Sequence, residues 1–127
     1  MKKIVALLSL SLVLVLAACN GTTAVTLSSV HGDLDTSVRW LTTLASDDSY
    51  IALTVTRLCP RTEDSILCDR SHALNDILDG LGFESNVIRR MGETRALDGR
   101  QTAENDNFRV SWTFHPDDGL QVLFENN

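Results

Sequence analysis

Hydrophobic positions fall along this chain in three regimes. Ile4 to Leu16 is an apolar run broken only by Ser9 and Ser11 and preceded by Lys2 and Lys3, the middle of the chain disperses its apolar residues, and from Phe108 they alternate with polar ones. That last regime is the clearest. Phe108, Val110, Trp112 and Phe114 alternate with Arg109, Ser111, Thr113 and His115, which predicts a strand with one buried and one wetted face. His115-Pro116-Asp117-Asp118-Gly119 then offers Pro for a turn's fixed φ and Gly for a positive one, and Leu120, Val122 and Phe124 return as the partner strand.

Upstream, Tyr50 to Leu58 is rich in β-branched residues and predicts a strand with Ile51, Leu53 and Val55 on one face, ended by Cys59-Pro60 because Pro cannot donate to a ladder. Leu67, Leu74, Ile77, Leu78 and Leu81 recur at helical spacing and predict a helix over 66–79, with Asp64, Ser65 or Asp69 as N-cap and Gly80 or Gly82 as the stop. Val25 to Val30 alternates and reads as a first strand ended by His31-Gly32-Asp33. Residues 36–45 fit two patterns: Val38, Leu41 and Ala45 suit a helix face, whereas Val38, Trp40, Thr42 and Leu44 suit a strand. Their Thr content and the polar break Ser46-Asp47-Asp48-Ser49 favour a hairpin. Phe83, Ser85 and Val87 alternate loosely, and the polar stretch from Gly92 to Asn107, with a turn signal at Asp98-Gly99, reads as a loop. The expected fold is α+β, an antiparallel sheet of about five strands covered by one main helix, in one globular domain over 24–127.

The N-terminal regime reads differently. A positive head, 13 apolar residues and small residues before a cut describe a secretory signal peptide over 1–18, too short and wrongly flanked for a membrane span. Its close, Leu16-Ala17-Ala18-Cys19, resembles the lipobox of bacterial lipoproteins. The resemblance implies that Cys19 is acylated and becomes the first residue after cleavage. Each buried methylene of an acyl chain contributes about 0.8 kcal/mol, so several chains hold a protein on a bilayer where one is marginal. In that family an Asp directly after the Cys marks inner-membrane retention. Asn20 stands there instead, which implies the outer membrane, with the domain facing the periplasm. Residues 19–23 form a short tether whose reach is no more than about 20 Å.

Charge narrows the function further. Without the signal's two lysines the chain keeps nine arginines, no Lys and 17 acidic residues, so the formal charge moves from −6 to −8. Such a domain is repelled by nucleic acid and by anionic headgroups, so no nucleic-acid partner is expected and the bilayer is reached through Cys19 alone. A Schiff base and a phosphate-loop Lys are excluded. Outside the cytosol the remaining pair, Cys59 and Cys68, is expected to form a disulfide across a loop of about ten residues.

Candidate chemistry is sparse. Cys68 and His72 lie four apart on the expected helix, the spacing of a thiolate and its base, although oxidation of Cys68 removes the nucleophile. His31, Asp33 and Asp35 offer imidazole and carboxylates to a metal but lack a second ligand cluster, and Asp47-Asp48 and Asp117-Asp118 sit where turns favour Asp. Trp112 aligns with the core-facing phenylalanines, while the face of Trp40 is open and Tyr50 is a further large amphipathic aromatic. No catalytic residue, metal or cofactor is expected. The expected role is a non-catalytic binding or adaptor lipoprotein for an envelope protein complex. The alternative is an immunity, inhibitor or exclusion lipoprotein that masks a toxin, enzyme or receptor, and a small hydrolase is a distant third.

Overall fold

The computed structural model describes residues 24–63 and 65–127. The expected signal segment 1–18, the acylated Cys19, the tether to Thr23 and the candidate cap Asp64 lie outside the described residues. No described helix is long and apolar enough to cross a membrane.

Five antiparallel strands form one sheet: β1 (Thr42–Leu44), β2 (Tyr50–Val55), β3 (Gln101–Glu104), β4 (Phe108–His115) and β5 (Gly119–Asn126), in the order β1-β2-β5-β4-β3. Strand pairing lines up three inward rows across β4, β5 and β2: Val110–Phe124–Ile51, Trp112–Val122–Leu53 and Phe114–Leu120–Val55. All but Phe114 are buried. Each such side chain contributes about 1.5–3 kcal/mol by leaving water. The C-terminal hairpin and β2 thus form as their alternation predicts.

Four helices cover that face: α1 (Leu27–Asp33), α2 (Thr36–Arg39), α3 (Asp69–Gly80) and α4 (Asn86–Glu93). The longest, α3, turns Ala73, Leu74, Ile77 and Leu78 inward and is preceded by a 3-10 turn over Ile66–Cys68 whose N-cap is Ser65. Gly82, at φ 76°, ends the run while Phe83 N–H donates to the Leu78 carbonyl at 2.9 Å. The expected helix over 66–79 is present, but it is not alone on the sheet.

Local structure departs from the sequence reading in four places. The expected strand at 25–30 is α1, because Thr26 and Ser29 form a reciprocal capping box and Leu27 and Val30, three apart, share the buried stripe. Residues 36–45 divide between both patterns: Asp35 caps α2 by accepting from Ser37 N–H at 2.7 Å, then Thr42–Leu44 pairs with β2. The loose alternation at 83–91 gives way to α4, which buries Val87 and Met91 one turn apart. The expected loop over 92–107 contains a 3-10 turn at Ala96–Asp98 and then β3, whose inward residues Gln101 and Ala103 carry too little apolar signal to announce a strand.

Cys59 and Cys68 are joined in a disulfide that ties the segment after β2 to the start of α3. Ser71 supports the junction, its hydroxyl accepting from Cys59 N–H at 2.9 Å. Reduction should lower the unfolding free energy by about 2.5 kcal/mol by restoring freedom to the unfolded loop. Urea titrations with and without reductant measure this, and equal midpoints would mean that packing at Ser71 holds the junction unaided.

Gly119 opens β5 at φ 85°, where an added Cβ would lie 2.5 Å from the Val55 carbonyl oxygen and 2.7 Å from Thr56 Cα. Gly119→Ala should therefore cost at least about 2 kcal/mol, from backbone strain plus the clash with β2. A denaturation midpoint equal to wild type would refute this close approach.

Candidate functional site

The alternation that buries one sheet face turns the other outward. Its rows are Arg109–Glu125–Tyr50, Ser111–Leu123–Ala52 and Thr113–Gln121–Thr54, with Thr43 of β1 beside Ala52. Apart from Leu123 and Gln121 the latter two rows carry only small side chains, Ser111, Ala52, Thr113 and Thr54, and the sheet face is hollowed into a dish there. The dish measures about 470 Å³. Volumes of this size accommodate ligand groups or a few side chains of a partner.

Two arginines reach the dish from opposite sides. Arg70, in the first turn of α3, passes the end of β1 and donates to the Thr54 carbonyl at 2.9 Å. Arg100, just before β3, donates to Ser111 Oγ at 3.0 Å. Both partners are neutral oxygens. By contrast, Arg57 pairs with Glu63, Arg61 with Asp76 and Asp79, Arg89 with Glu93, Arg95 with Asp98, and Arg109 with Glu104. Among the described residues no carboxylate lines the dish, and it is flanked at one end by Glu125 and the Arg109–Glu104 pair and at the other by the His115–Asp118 turn.

Several exposed apolar residues lie close in sequence to residues that line this face. Trp40, 74% exposed, directly precedes Leu41 on the rim; Ile66 and Leu67 lead into the helix of Arg70; Leu97, 97% exposed, lies three residues before Arg100; and Tyr50 is on the open face itself. None of the six large exposed apolar side chains among the described residues lines the dish itself; Tyr50 is on the same sheet face, and Trp40 is the direct chain neighbour of Leu41 on the rim. Tryptophan, tyrosine and arginine over an open surface are the residue types that dominate protein interfaces.

The residues weighed for chemistry in the sequence take other roles. Cys68 sulfur is bonded to Cys59, so it offers His72 no thiol; the ring Nε2 of His72 is buried without a partner. Among the described residues the one group at metal-binding separations is Cys59, Glu63 and Cys68, and its sulfurs are spent on each other. His31, Asp33 and Asp35 do not converge. Asp35 caps α2, with its carboxyl held below the ordinary range by the Ser37 backbone N–H and then by the Ser37 hydroxyl. Asp47 is lowered likewise by the Ser49 hydroxyl and backbone N–H. Asp48 occupies a left-handed turn position at φ 58°, and Asp117 and Asp118 flank His115 in the β4–β5 turn. Trp112 is core: its indole donates to Thr94 Oγ1 at 2.8 Å, and the Arg90 guanidinium lies 5.1 Å from the ring.

The dish itself is only half legible in sequence. Ser111, Thr113 and Gln121 belong to a polar face that alternation announces, but Arg70 and Arg100 come from a helix start and a connecting segment that no local pattern directs there. The chain matches no protein-family model, no curated protein and no solved structure.

His31 supplies a test of local packing. Burial, then the nearby positive Arg39, push its pKa below the ordinary value. The neutral ring's contribution is therefore complete above about pH 6.5 and is lost as the pH falls through the lower folded value. His31→Gln should flatten the pH dependence of the urea midpoint below pH ~6.5. A slope identical to wild type would show that the ring titrates alike in folded and unfolded chains.

Proposed function

We propose that this protein is a lipid-anchored lipoprotein of the bacterial envelope whose domain is a non-catalytic docking module for another envelope protein. The anchor rests on the lipobox-like Leu16-Ala17-Ala18-Cys19 and the apolar run before it. The docking role is supported chiefly by one observation: the open sheet face carries the exposed Tyr50 beside a dish that Arg70 and Arg100 reach from opposite sides. An exposed aromatic with arginines over a concave surface matches the residue types enriched at protein interfaces.

The strongly acidic composition favours a second reading, an immunity, inhibitor or exclusion lipoprotein that masks a basic toxin, enzyme or receptor. That partner would approach the acidic surface away from the dish. The two readings differ in where and when contact occurs.

Photo-crosslinking in intact cells separates them, with a probe at Gln121 on the open face and another at exposed Ser85 on the helical side. The docking reading expects Gln121 to capture one envelope protein during ordinary growth, and Ser85 to capture none. Capture at Ser85 alone, only after challenge by a toxin or phage, would replace it with the masking reading. Cys19→Ala should abolish labelling by radioactive palmitate and release the protein from the membrane fraction, and continued membrane retention would overturn the lipid anchor.

A further inference from the structure

Resting on the docking reading, we infer that the partner presents an acidic segment, with a carboxylate seated between Arg70 and Arg100 over the Ser111–Leu123–Ala52 row. Charge complementarity carries this. Five of the nine arginines pair with carboxylates, and Arg39 and Arg90 are bonded to backbone carbonyls outside the dish. The two that reach the dish are bonded, among the described residues, only to the Thr54 carbonyl and the Ser111 hydroxyl, and they share a hollow with no carboxylate in its lining. Each guanidinium has five N–H donors, so one such bond leaves capacity for a carboxylate, which it can grip with two parallel bonds. The other concavities mix their charges or are acidic: Arg61 shares one with Asp79 and Glu84, Arg90 shares two with Glu93, Asp98, Glu84 and Glu104, and another holds Asp33 and Asp76.

The floor narrows the ligand's shape. Thr43, Thr54, Thr113 and Gln121 present hydroxyl and amide groups around Ala52 and Leu123, suited to polar and small apolar atoms together, while Ser111 is buried with its hydroxyl accepting from Arg100. A shallow sheet face with Leu41 on its rim and Tyr50 beside it suits a length of polypeptide better than a single small ion. Glu125 at one end of the face disfavours a second carboxylate there, so the acidic residue is held at the arginine end and the segment has a preferred direction. The overall charge repels acidic partners at long range, which restricts capture to segments that reach the two arginines.

The test uses the full lipidated chain in phosphatidylcholine nanodiscs, titrated with a hexapeptide alternating Glu and Val and with its Gln-for-Glu counterpart. Affinity and the guanidinium N–H signals of Arg70 and Arg100 are read by NMR. The acidic peptide should bind about tenfold more tightly and shift both arginines, because a charge-assisted bond is roughly twice as strong as a neutral one. Arg100→Gln should remove most of that preference, and Arg89→Gln, which alters a side chain paired with Glu93 on α4, should leave it intact. Arg100 is exposed, so its variant carries the test even where Arg70→Gln disturbs the edge of β2.

Equal affinity for the two peptides, no binding of either, or signals shifting only on the helical side would overturn the inference. So would the same Arg100 shift on replacing phosphatidylcholine by phosphatidylglycerol without peptide, which would assign the dish to lipid headgroups. Crosslinking at Gln121 keeps this failure distinct from failure of the docking reading. Capture there of a partner whose contacting segment is neutral or basic sinks the acidic-segment inference alone, and absence of capture there sinks both.

Discussion

Val110, Phe124 and Ile51, and beside them Trp112, Val122 and Leu53, stand in register across three antiparallel strands and share one core with Leu74 and Ile77 of α3. A slip of one residue in any of these pairings would turn the whole row outward, so burial of this face fixes the register. Everything else is arranged around it. The helices are packed where apolar residues demand cover, the cystine ties the chain leaving β2 to the helix that supplies the cover, and the opposite rows are left to solvent or to a partner. The candidate docking face is thus a direct consequence of the core: the same alternation that buries Trp112 sets Ser111 and Thr113 on the other side.

The two edges of the sheet are handled by arginine. Beyond the end of the three-residue β1, the Thr54 carbonyl of β2 accepts from Arg70; on β3, the Thr102 carbonyl accepts from Arg90, which also lies over Trp112. Open edges otherwise template pairing with another chain, and a charged side chain bonded to the edge carbonyl obstructs that pairing. The margins of the sheet are thereby less open to strand pairing than its free face. Arg70 serves both ends, since the side chain that closes the β2 edge also brings positive charge to the rim of the dish.

Using arginine alone among the strong bases of the domain suits this design. A planar guanidinium can bond a backbone carbonyl, stack on an indole and still present donors to a carboxylate, whereas an ammonium is a compact, strongly hydrated point charge. The exposed pairs such as Arg89–Glu93 and Arg109–Glu104 contribute little stability, of the order of a few tenths of a kcal/mol each. Their effect on the surface is larger, because they cancel charge locally, whereas the dish is lined by two arginines and by no carboxylate among the described residues.

The amino-acid sequence by itself determined the hairpin of β4 and β5, the strand from Tyr50, the helix after Cys68, the α+β class and the pairing of Cys59 with Cys68. In each the signal is local and redundant: strict alternation over several residues, helical spacing over three turns, or two cysteines left in one short stretch. Tertiary structure decided the rest. Val25 to Val30 carries alternation and helical spacing together, and a capping box at Thr26 and Ser29 with burial of Leu27 and Val30 resolved them in favour of α1. β3 exists because β4 offered an unpaired edge to a polar segment, an energy that resides in the neighbour and not in Gln101–Glu104. The dish follows the same logic, since Arg70 and Arg100 are separated by thirty residues in sequence and line one hollow from opposite sides only because the sheet order sets β2, β5 and β4 side by side.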